Sequence, residues 1–169
     1  FLASGSRRRK LDIPGEKEFE GKGVVYCSIC DAPVMKGKKA VVVGGGNSGL
    51  EAVIDLLPYA EEIYLMHRRS ELKGDAITQA QIEKSDKVKI LLNAAPVKIE
   101  GEKFVERILY KTNGEEKELL VQGVFVEIGA MPNSEIVKGL VEINERGEVV
   151  VDHKTQRTSV QGIWAAGDV

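Results

Sequence analysis

The stretch Lys39-Ala40-Val41-Val42-Val43-Gly44-Gly45-Gly46-Asn47-Ser48-Gly49 decides the fold of this 169-residue chain. Residues 39–43 form a short apolar run of the kind that a buried parallel strand shows. A Gly-x-Gly-x-x-Gly pattern follows this run, and apolar residues at helical spacing come next. The order strand, glycine turn and helix is typical of a dinucleotide-binding α/β fold, in which free N–H groups at the helix N-terminus hold a pyrophosphate.

The glycines have distinct roles in such a turn. Gly44 permits the tight turn, Gly46 lets the backbone approach the phosphates, and Gly49 lets the helix pack closely on the strand. An ordinary strand–helix turn is the alternative interpretation, but a second apolar strand at residues 62–66 stands where the dinucleotide fold requires one. The predicted cofactor contacts are therefore Gly44, Gly45, Gly46, Asn47, Ser48 and Gly49.

A basic loop follows the second strand. An NAD-preferring site usually places an Asp or Glu there for the ribose 2′-hydroxyl, whereas this chain has His67-Arg68-Arg69. Two guanidinium groups suit a 2′-phosphate, and Lys73 adds a third cationic contact. A solvated basic loop is the alternative, with Glu71 reducing its charge. The loop predicts that NADP(H) is the cofactor rather than NAD.

The only two cysteines occur in Cys27-Ser28-Ile29-Cys30-Asp31, and Cys30 precedes Gly44 by 14 positions. No paired histidine spacing accompanies them, so no metal site is predicted. A structural disulfide is disfavoured because so short a loop constrains the unfolded chain little. A redox-active pair remains, although Pro33 and Gly37 interrupt the long helix of a thioredoxin fold. A dithiol and a dinucleotide turn in one segment indicate electron transfer between a nicotinamide and a disulfide.

Composition limits the remaining function classes. The chain is 43% hydrophobic and 30% charged, as expected for a soluble α/β domain. Its 24 basic and 26 acidic residues give a net charge of −2, which predicts no nucleic-acid partner; the basic run at residues 7–10 is interpreted as a solvated loop. No stretch is predicted to span a membrane, and two cysteines without a signal peptide suit the cytoplasm.

The later part of the chain predicts more strands and one more helix. The predicted fold class is α/β, a Rossmann-like parallel sheet with a three-stranded antiparallel β-meander insertion. The parallel sheet continues with strands at residues 87–91 and 121–127, after a polar helix around residues 76–84. The meander strands are predicted at residues 97–99, 105–110 and 117–120, with turns at 100–102 and 113–114.

Three segments together carry a specific resemblance: residues 21–31, 44–52 and 67–69 resemble the NADPH domain of low-molecular-weight thioredoxin reductases. Flanking segments extend the resemblance over essentially the whole chain. The flavoprotein subunits of alkyl hydroperoxide reductase are also similar, particularly between residues 123 and 133, but their cofactor loop is typically acidic. The basic loop therefore favours the thioredoxin reductase branch.

The resemblance implies a domain organisation. Residues 1–10 correspond to a remnant of an FAD domain and hinge, residues 11–129 to the NADPH-binding domain, and residues 130–169 to the rest of the FAD remnant. Gly167 and Asp168 match the family's FAD-binding motif. We expect the chain to be a fragment that is colourless, binds NADP(H) and lacks disulfide reductase activity. Its end segments, residues 1–6 and 163–168, are expected to pair with each other or with a second chain.

The resemblance also implies a mechanism for the full-length protein, expected to be a homodimer. Electrons would pass from NADPH through FAD to a Cys27–Cys30 disulfide, and then to thioredoxin or another thioredoxin-like protein. Cys30 resembles the flavin-proximal thiol and Cys27 the interchange thiol, with Asp31 handling protons. The domain would rotate on hinges near residues 10–15 and 131–133. The alternatives are the reductase component of a peroxide-reducing system, with a peroxidase partner, and a non-catalytic nucleotide-binding module.

Overall fold

The computed structural model describes all of residues 1–169, and the chain divides into two compact units. One unit consists of Phe1–Arg9 and Gly129–Val169 and is called the terminal unit below. The other consists of Lys10–Ile128 and is called the sheet unit. The strands are β1 (Ser6–Arg8), β2 (Val24–Val25), β3 (Lys39–Val43), β4 (Glu62–Met66), β5 (Val88–Leu91), β6 (Ala94–Gly101), β7 (Val105–Thr112), β8 (Glu115–Leu120), β9 (Gly123–Val126) and β10 (Ala130–Pro132). The α-helices are α1 (Ser28–Asp31), α2 (Asn47–Leu56) and α3 (Ala76–Ile82), and short 3-10 helices cover Ala32–Met35 and Glu135–Val137.

A five-stranded parallel sheet forms the middle of the sheet unit, in the order β2-β9-β3-β4-β5. Its central strands are apolar because both faces of the sheet are covered. On one face, α2 packs with Leu50, Val53 and Leu56, which are all fully buried. The antiparallel meander β6-β7-β8 covers the other face, where Ile99 and Ile108 join the core. The unit is therefore a three-layer structure of helices, parallel sheet and meander.

The predicted fold class is confirmed. Strands β3 and β4 have the predicted bounds, and β5 begins one residue later than predicted. Strand β9 is shorter than the predicted 121–127. The reason is that the Val121 N–H donates to the carbonyl of Glu106 at 3.1 Å, so Val121 bonds to the meander instead of the parallel sheet.

The terminal unit is held by pairing between distant parts of the chain. Strand β1 pairs antiparallel with β10, and Leu2 forms a parallel bridge with Ala165. The Leu2 N–H donates to the Trp164 carbonyl at 2.8 Å, and the Phe1 and Trp164 rings stack with centroids 5.5 Å apart. The end segments thus pair with each other, which is one of the two expected arrangements.

The parallel direction of the sheet determines where the predicted site residues lie. All five strands have their carboxyl ends at the same edge. The cysteine segment follows β2, the glycine turn follows β3, and the basic loop follows β4. Open α/β sheets bind ligands outside this edge, where the strand order reverses. Here the chain runs from β3 outward to β4 and β5, and later returns to place β9 on the other side of β3.

Candidate functional site at the carboxyl edge of the parallel sheet

The glycine turn joins β3 to α2 with close backbone packing on two sides. Gly44 has φ 136°, in the region that favours glycine, and a Cβ there would overlap the carbonyl oxygen of Glu127. A Cβ on Gly49 would overlap the carbonyl oxygen of Gly44. A Cβ on Gly46 would meet no atom within 4 Å, so the turn is open at this residue. The close approaches hold the turn, and the open side leaves room for a ligand.

The N-terminus of α2 fits an anion. Its N-cap is Gly46, so no side chain caps the free N–H groups of the first turn, and no acidic residue occurs there. The first backbone bond within this turn runs from the Leu50 N–H to the Gly46 carbonyl. The N–H groups of residues 47–49 therefore carry the positive end of the helix dipole without an internal acceptor.

The basic loop after β4 is fixed against the glycine turn. The N–H groups of Lys73 and Gly74 donate to the Gly45 carbonyl at 2.7 and 3.1 Å. The Asn47 side-chain oxygen accepts from the Asp75 N–H at 2.8 Å. Asp75 in turn caps α3 by accepting from the backbone N–H groups of Ile77 and Thr78. The predicted contact residues Gly45 and Asn47 thus hold the loop in place.

His67 lies between the turn and the exposed arginines. A Cβ on Gly45 would come within 2.6 Å of the His67 Cγ, which places the ring directly against the turn. Burial, together with the positive charges of Arg69 and Arg68, lowers the pKa of His67 below its ordinary value. The ring is therefore neutral near pH 7, and its buried Nε2 has no hydrogen-bond partner.

Arg68, Arg69 and Lys73 are exposed, and their side chains make no hydrogen bond or ion pair within the chain. Three cations next to a helix N-terminus suit a phosphorylated ligand. The residues present consequently fit NADP(H), whose pyrophosphate matches the glycine turn and whose 2′-phosphate matches the basic loop.

Cys27 and Cys30 form a disulfide across α1, with their Cα atoms 5.5 Å apart. Cys27 is half-buried and Cys30 is exposed, and Ile29 between them is 79% exposed. Asp31 is half-buried, and its N–H donates to the Cys27 carbonyl at 3.2 Å. The disulfide is therefore accessible from solvent through Cys30.

Sequence reasoning missed a contact that anchors this segment. The Ser28 hydroxyl donates to the Asp55 carboxylate on α2 at 2.7 Å. The two residues are 27 positions apart, and no motif links them. Only the packing of α1 on α2 brings them together.

Sequence reasoning also missed a buried carboxylate next to the predicted hinge. Glu16 accepts hydrogen bonds from the Leu11 and Asp12 N–H groups at 2.7 and 2.8 Å, and from the Tyr26 hydroxyl at 2.9 Å. Burial raises the pKa of Tyr26 to about 12, and the Lys10 ammonium lies 3.8 Å from its ring centroid. Asp12 has φ 55°, so the carboxylate supports a backbone conformation unusual for this residue. Residues 11 and 12 are accordingly fixed to the sheet unit.

Gly167 and Asp168 belong to the terminal unit, whereas the other predicted site residues belong to the sheet unit. Asp168 is exposed, and its carboxylate accepts from the Ser6 hydroxyl at 3.5 Å. No group of three or more His, Cys, Asp or Glu side chains is arranged to hold a metal ion. None of the helices has the length and apolar character required to cross a bilayer.

The fold and the disulfide define the class: a Rossmann-like domain with a glycine-rich turn and a disulfide at one sheet edge. The chain belongs to the pyridine nucleotide-disulphide oxidoreductase family, whose model matches residues 1–169. This confirms the family indicated by the sequence motifs.

Individual relatives fall into more than one branch. The chain is 43% identical to an alkyl hydroperoxide reductase flavoprotein of Pseudomonas putida over all of its length, and 44% identical to an NADH dehydrogenase of Bacillus subtilis over 99%. It covers 33% of each of these relatives, so it spans about a third of their length.

Two solved structures of thioredoxin reductases are also similar. Those from Lactococcus lactis and T. acidophilum superpose with a TM-score of 0.89 each, at 34% and 38% identity. The matches cover 98% and 99% of this chain, and 55% and 56% of those proteins.

Proposed function

We propose that the sheet unit is the NADPH-binding, disulfide-carrying domain of a flavoprotein disulfide reductase. One observation carries this proposal. The Cys27–Cys30 disulfide follows β2 and the open glycine turn follows β3, so both lie at the carboxyl edge of one parallel sheet. A domain of this kind can bind a nucleotide and present a disulfide on one rigid scaffold.

The nucleotide is proposed to bind along this edge. The N–H groups at the start of α2 would hold the pyrophosphate, and Gly46 would let it approach the backbone. Arg68, Arg69 and Lys73 would bind the 2′-phosphate. Nicotinamide and flavin, when bound, supply hydride and two-electron chemistry to the protein. Within these 169 residues only α2 begins at a glycine-rich turn, so Gly167 and Asp168 are proposed as one part of an FAD site and no step is derived from them.

The two cysteines are proposed to act in sequence on a protein disulfide. In the dithiol form, the Cys27 thiolate attacks the partner disulfide, which gives a mixed disulfide and releases one partner thiolate. The Cys30 thiolate then attacks Cys27 Sγ, which restores the Cys27–Cys30 disulfide and releases the partner as a dithiol. Asp31, one helical turn from Cys27, is proposed to accept and return the thiol proton. The assignment of the attacking role to Cys27 rests on the family resemblance, because Cys30 is the more exposed cysteine.

Thioredoxin or a thioredoxin-like protein is the proposed partner. The likeness to two thioredoxin reductases over nearly the whole chain supports it. A second candidate is a peroxidase module, supported by 43% identity to the alkyl hydroperoxide reductase flavoprotein of Pseudomonas putida. The basic loop supports NADPH rather than NADH in either case.

The partner is tested with the full-length protein. NADPH and NADH oxidation is measured with thioredoxin and with a two-cysteine peroxidase as electron acceptors. We expect turnover with NADPH and thioredoxin; turnover only with the peroxidase would select the second candidate. No turnover with any protein disulfide would leave only a nucleotide-binding module.

The order of the thiols is tested by trapping in the same protein. The Cys30→Ser variant is expected to form a stable mixed disulfide through Cys27, because the resolving thiol is missing. The Cys27→Ser variant is the matched control and should trap no partner. Trapping by Cys27→Ser alone would reverse the proposed roles.

A further inference from the structure

The disulfide segment is held by unusually little packing. Helix α1 has four residues and buries none of them. Isolated helices of this length are unstable in water. Besides the disulfide, the one side-chain hydrogen bond that α1 makes is the bond from the Ser28 hydroxyl to the Asp55 carboxylate at 2.7 Å. When the disulfide is reduced, this bond remains as the side-chain link between α1 and the rest of the domain.

The other end of this link is rigid. Asp55 lies in the last turn of α2, which is fixed on the sheet by the fully buried side chains of Leu50, Val53 and Leu56. Ser28 and Asp55 are themselves half-buried, so the bond is partly shielded from water. A hydrogen bond to a carboxylate in such a position is stronger than a bond between neutral groups.

We propose that Asp55 is a positioning residue for the Cys27–Cys30 pair, which it holds through Ser28. By keeping α1 on α2 in the dithiol form, the bond keeps one sulfur within closing range of the other. This raises the effective concentration of the second thiol and shifts the equilibrium toward the disulfide. The inference rests on the proposed function only in that the disulfide is taken to exchange electrons.

The exchange with glutathione isolates this equilibrium. One cysteine thiolate attacks glutathione disulfide, which gives a mixed disulfide and one glutathione thiolate. The second cysteine thiolate then displaces the bound glutathione and closes the Cys27–Cys30 bond. Two electrons pass from the dithiol to glutathione disulfide, and the two thiol protons end on two glutathione molecules. Only the second step depends on how close the two sulfurs are held.

The test uses the 169-residue chain in glutathione redox buffers at pH 7, with the dithiol fraction measured by alkylation and mass spectrometry. Ser28→Ala and Asp55→Ala are each expected to shift the equilibrium three- to tenfold toward the dithiol. This corresponds to a potential about 15–30 mV less negative. Ser28→Thr retains a hydroxyl, and Asp55→Asn retains an acceptor oxygen, so both should stay within twofold of the parent chain. Glu51→Ala, an exposed acidic residue on the same helix, is the matched control and should not shift the equilibrium.

A double variant separates positioning from general loss of structure. Because both substitutions remove one bond, Ser28→Ala with Asp55→Ala should shift the equilibrium no further than either alone. Additive shifts, or a Ser28→Ala equilibrium within twofold of the parent, would overturn the proposal. If Asp55→Ala does not fold, Ser28→Ala and its rescue by Ser28→Thr still decide it. The measurement contains no nucleotide or flavin, so a failure of NADPH binding would refute the proposed function without affecting this result.

Discussion

Replacing Arg68 and Arg69 together by Ala should weaken NADP binding far more than NAD binding. In the proposed complex both side chains contact the 2′-phosphate, which NAD lacks. Neither side chain is engaged elsewhere in the chain, so the substitution removes no internal hydrogen bond or ion pair. The change therefore acts on the ligand and not on the fold.

The size of the effect follows from the exposure of the two arginines. Hydrogen bonds to charged groups contribute about 1.5–3 kcal/mol each, and the lower end applies because both side chains are exposed. Two contacts then give about 3 kcal/mol, or a loss of NADP affinity of about 100- to 200-fold. NAD affinity should change by less than about threefold, since only long-range charge is lost.

Isothermal titration calorimetry of the 169-residue chain with each nucleotide measures both affinities. The control variant Lys36→Ala with Lys38→Ala makes the same change in charge just before β3, at the opposite end of that strand from the glycine turn. It should leave both affinities almost unchanged. Equal losses for NADP and NAD in the arginine variant would refute the role of the basic loop.

Three further predictions concern the turn and the stability of the sheet unit. Gly49→Ala should destabilise the fold by about 2–4 kcal/mol because its Cβ overlaps a backbone carbonyl, whereas Gly46→Ala should keep the parent melting temperature and lose nucleotide affinity; thermal unfolding and calorimetry separate the two, and equal melting temperatures would contradict the geometry. Hydrogen bonds from Lys89 and Tyr64 lower the pKa of Glu62 to about 2 from its ordinary value of 4.5, so its contribution to stability is complete above pH 4.5 and is lost as the pH falls toward 2. Glu62→Gln should therefore cost about 1–2 kcal/mol at pH 7 and almost nothing at pH 2, as measured by urea unfolding; the same loss at both pH values would argue against an electrostatic origin. Lys87→Met should cost about 1–2 kcal/mol in urea unfolding, because its ammonium bonds two carbonyls near the C-terminal end of α2 at 3.1 Å; unchanged stability would show that these bonds contribute nothing.

Much of the sheet unit could be predicted from sequence because its signals are local. The apolar run before Gly44 determines β3, and the Asn113-Gly114 turn fixes the hairpin between β7 and β8, with φ 51° and 84° at its two residues. Strand β2 was not predicted, since two residues are too few for any periodicity to appear. It exists because Val24 and Val25 pair with β9, which lies about 100 positions later.

The candidate site was predictable only in part, for a similar reason. Motifs indicate the residues that face a ligand, such as the glycines and the arginines, because their chemistry requires particular residue types. The residues that hold those groups in place have no motif. Asp55 supports Ser28, and Glu16 supports the segment before the sheet, through contacts that arise only when the elements pack.

The position of β9 has a consequence for synthesis on the ribosome. Strand β9 lies between β2 and β3 in the sheet, yet it begins 80 positions after Val43, where β3 ends. Until it emerges, a nascent chain can form the local meander hairpins but cannot join β2 to β3. The apolar edges of both strands stay uncovered during that interval, and such edges bind chaperones or aggregate. The four residues Gly123–Val126, none of which was predicted to contact a ligand, thus decide when the disulfide segment and the glycine turn first come together.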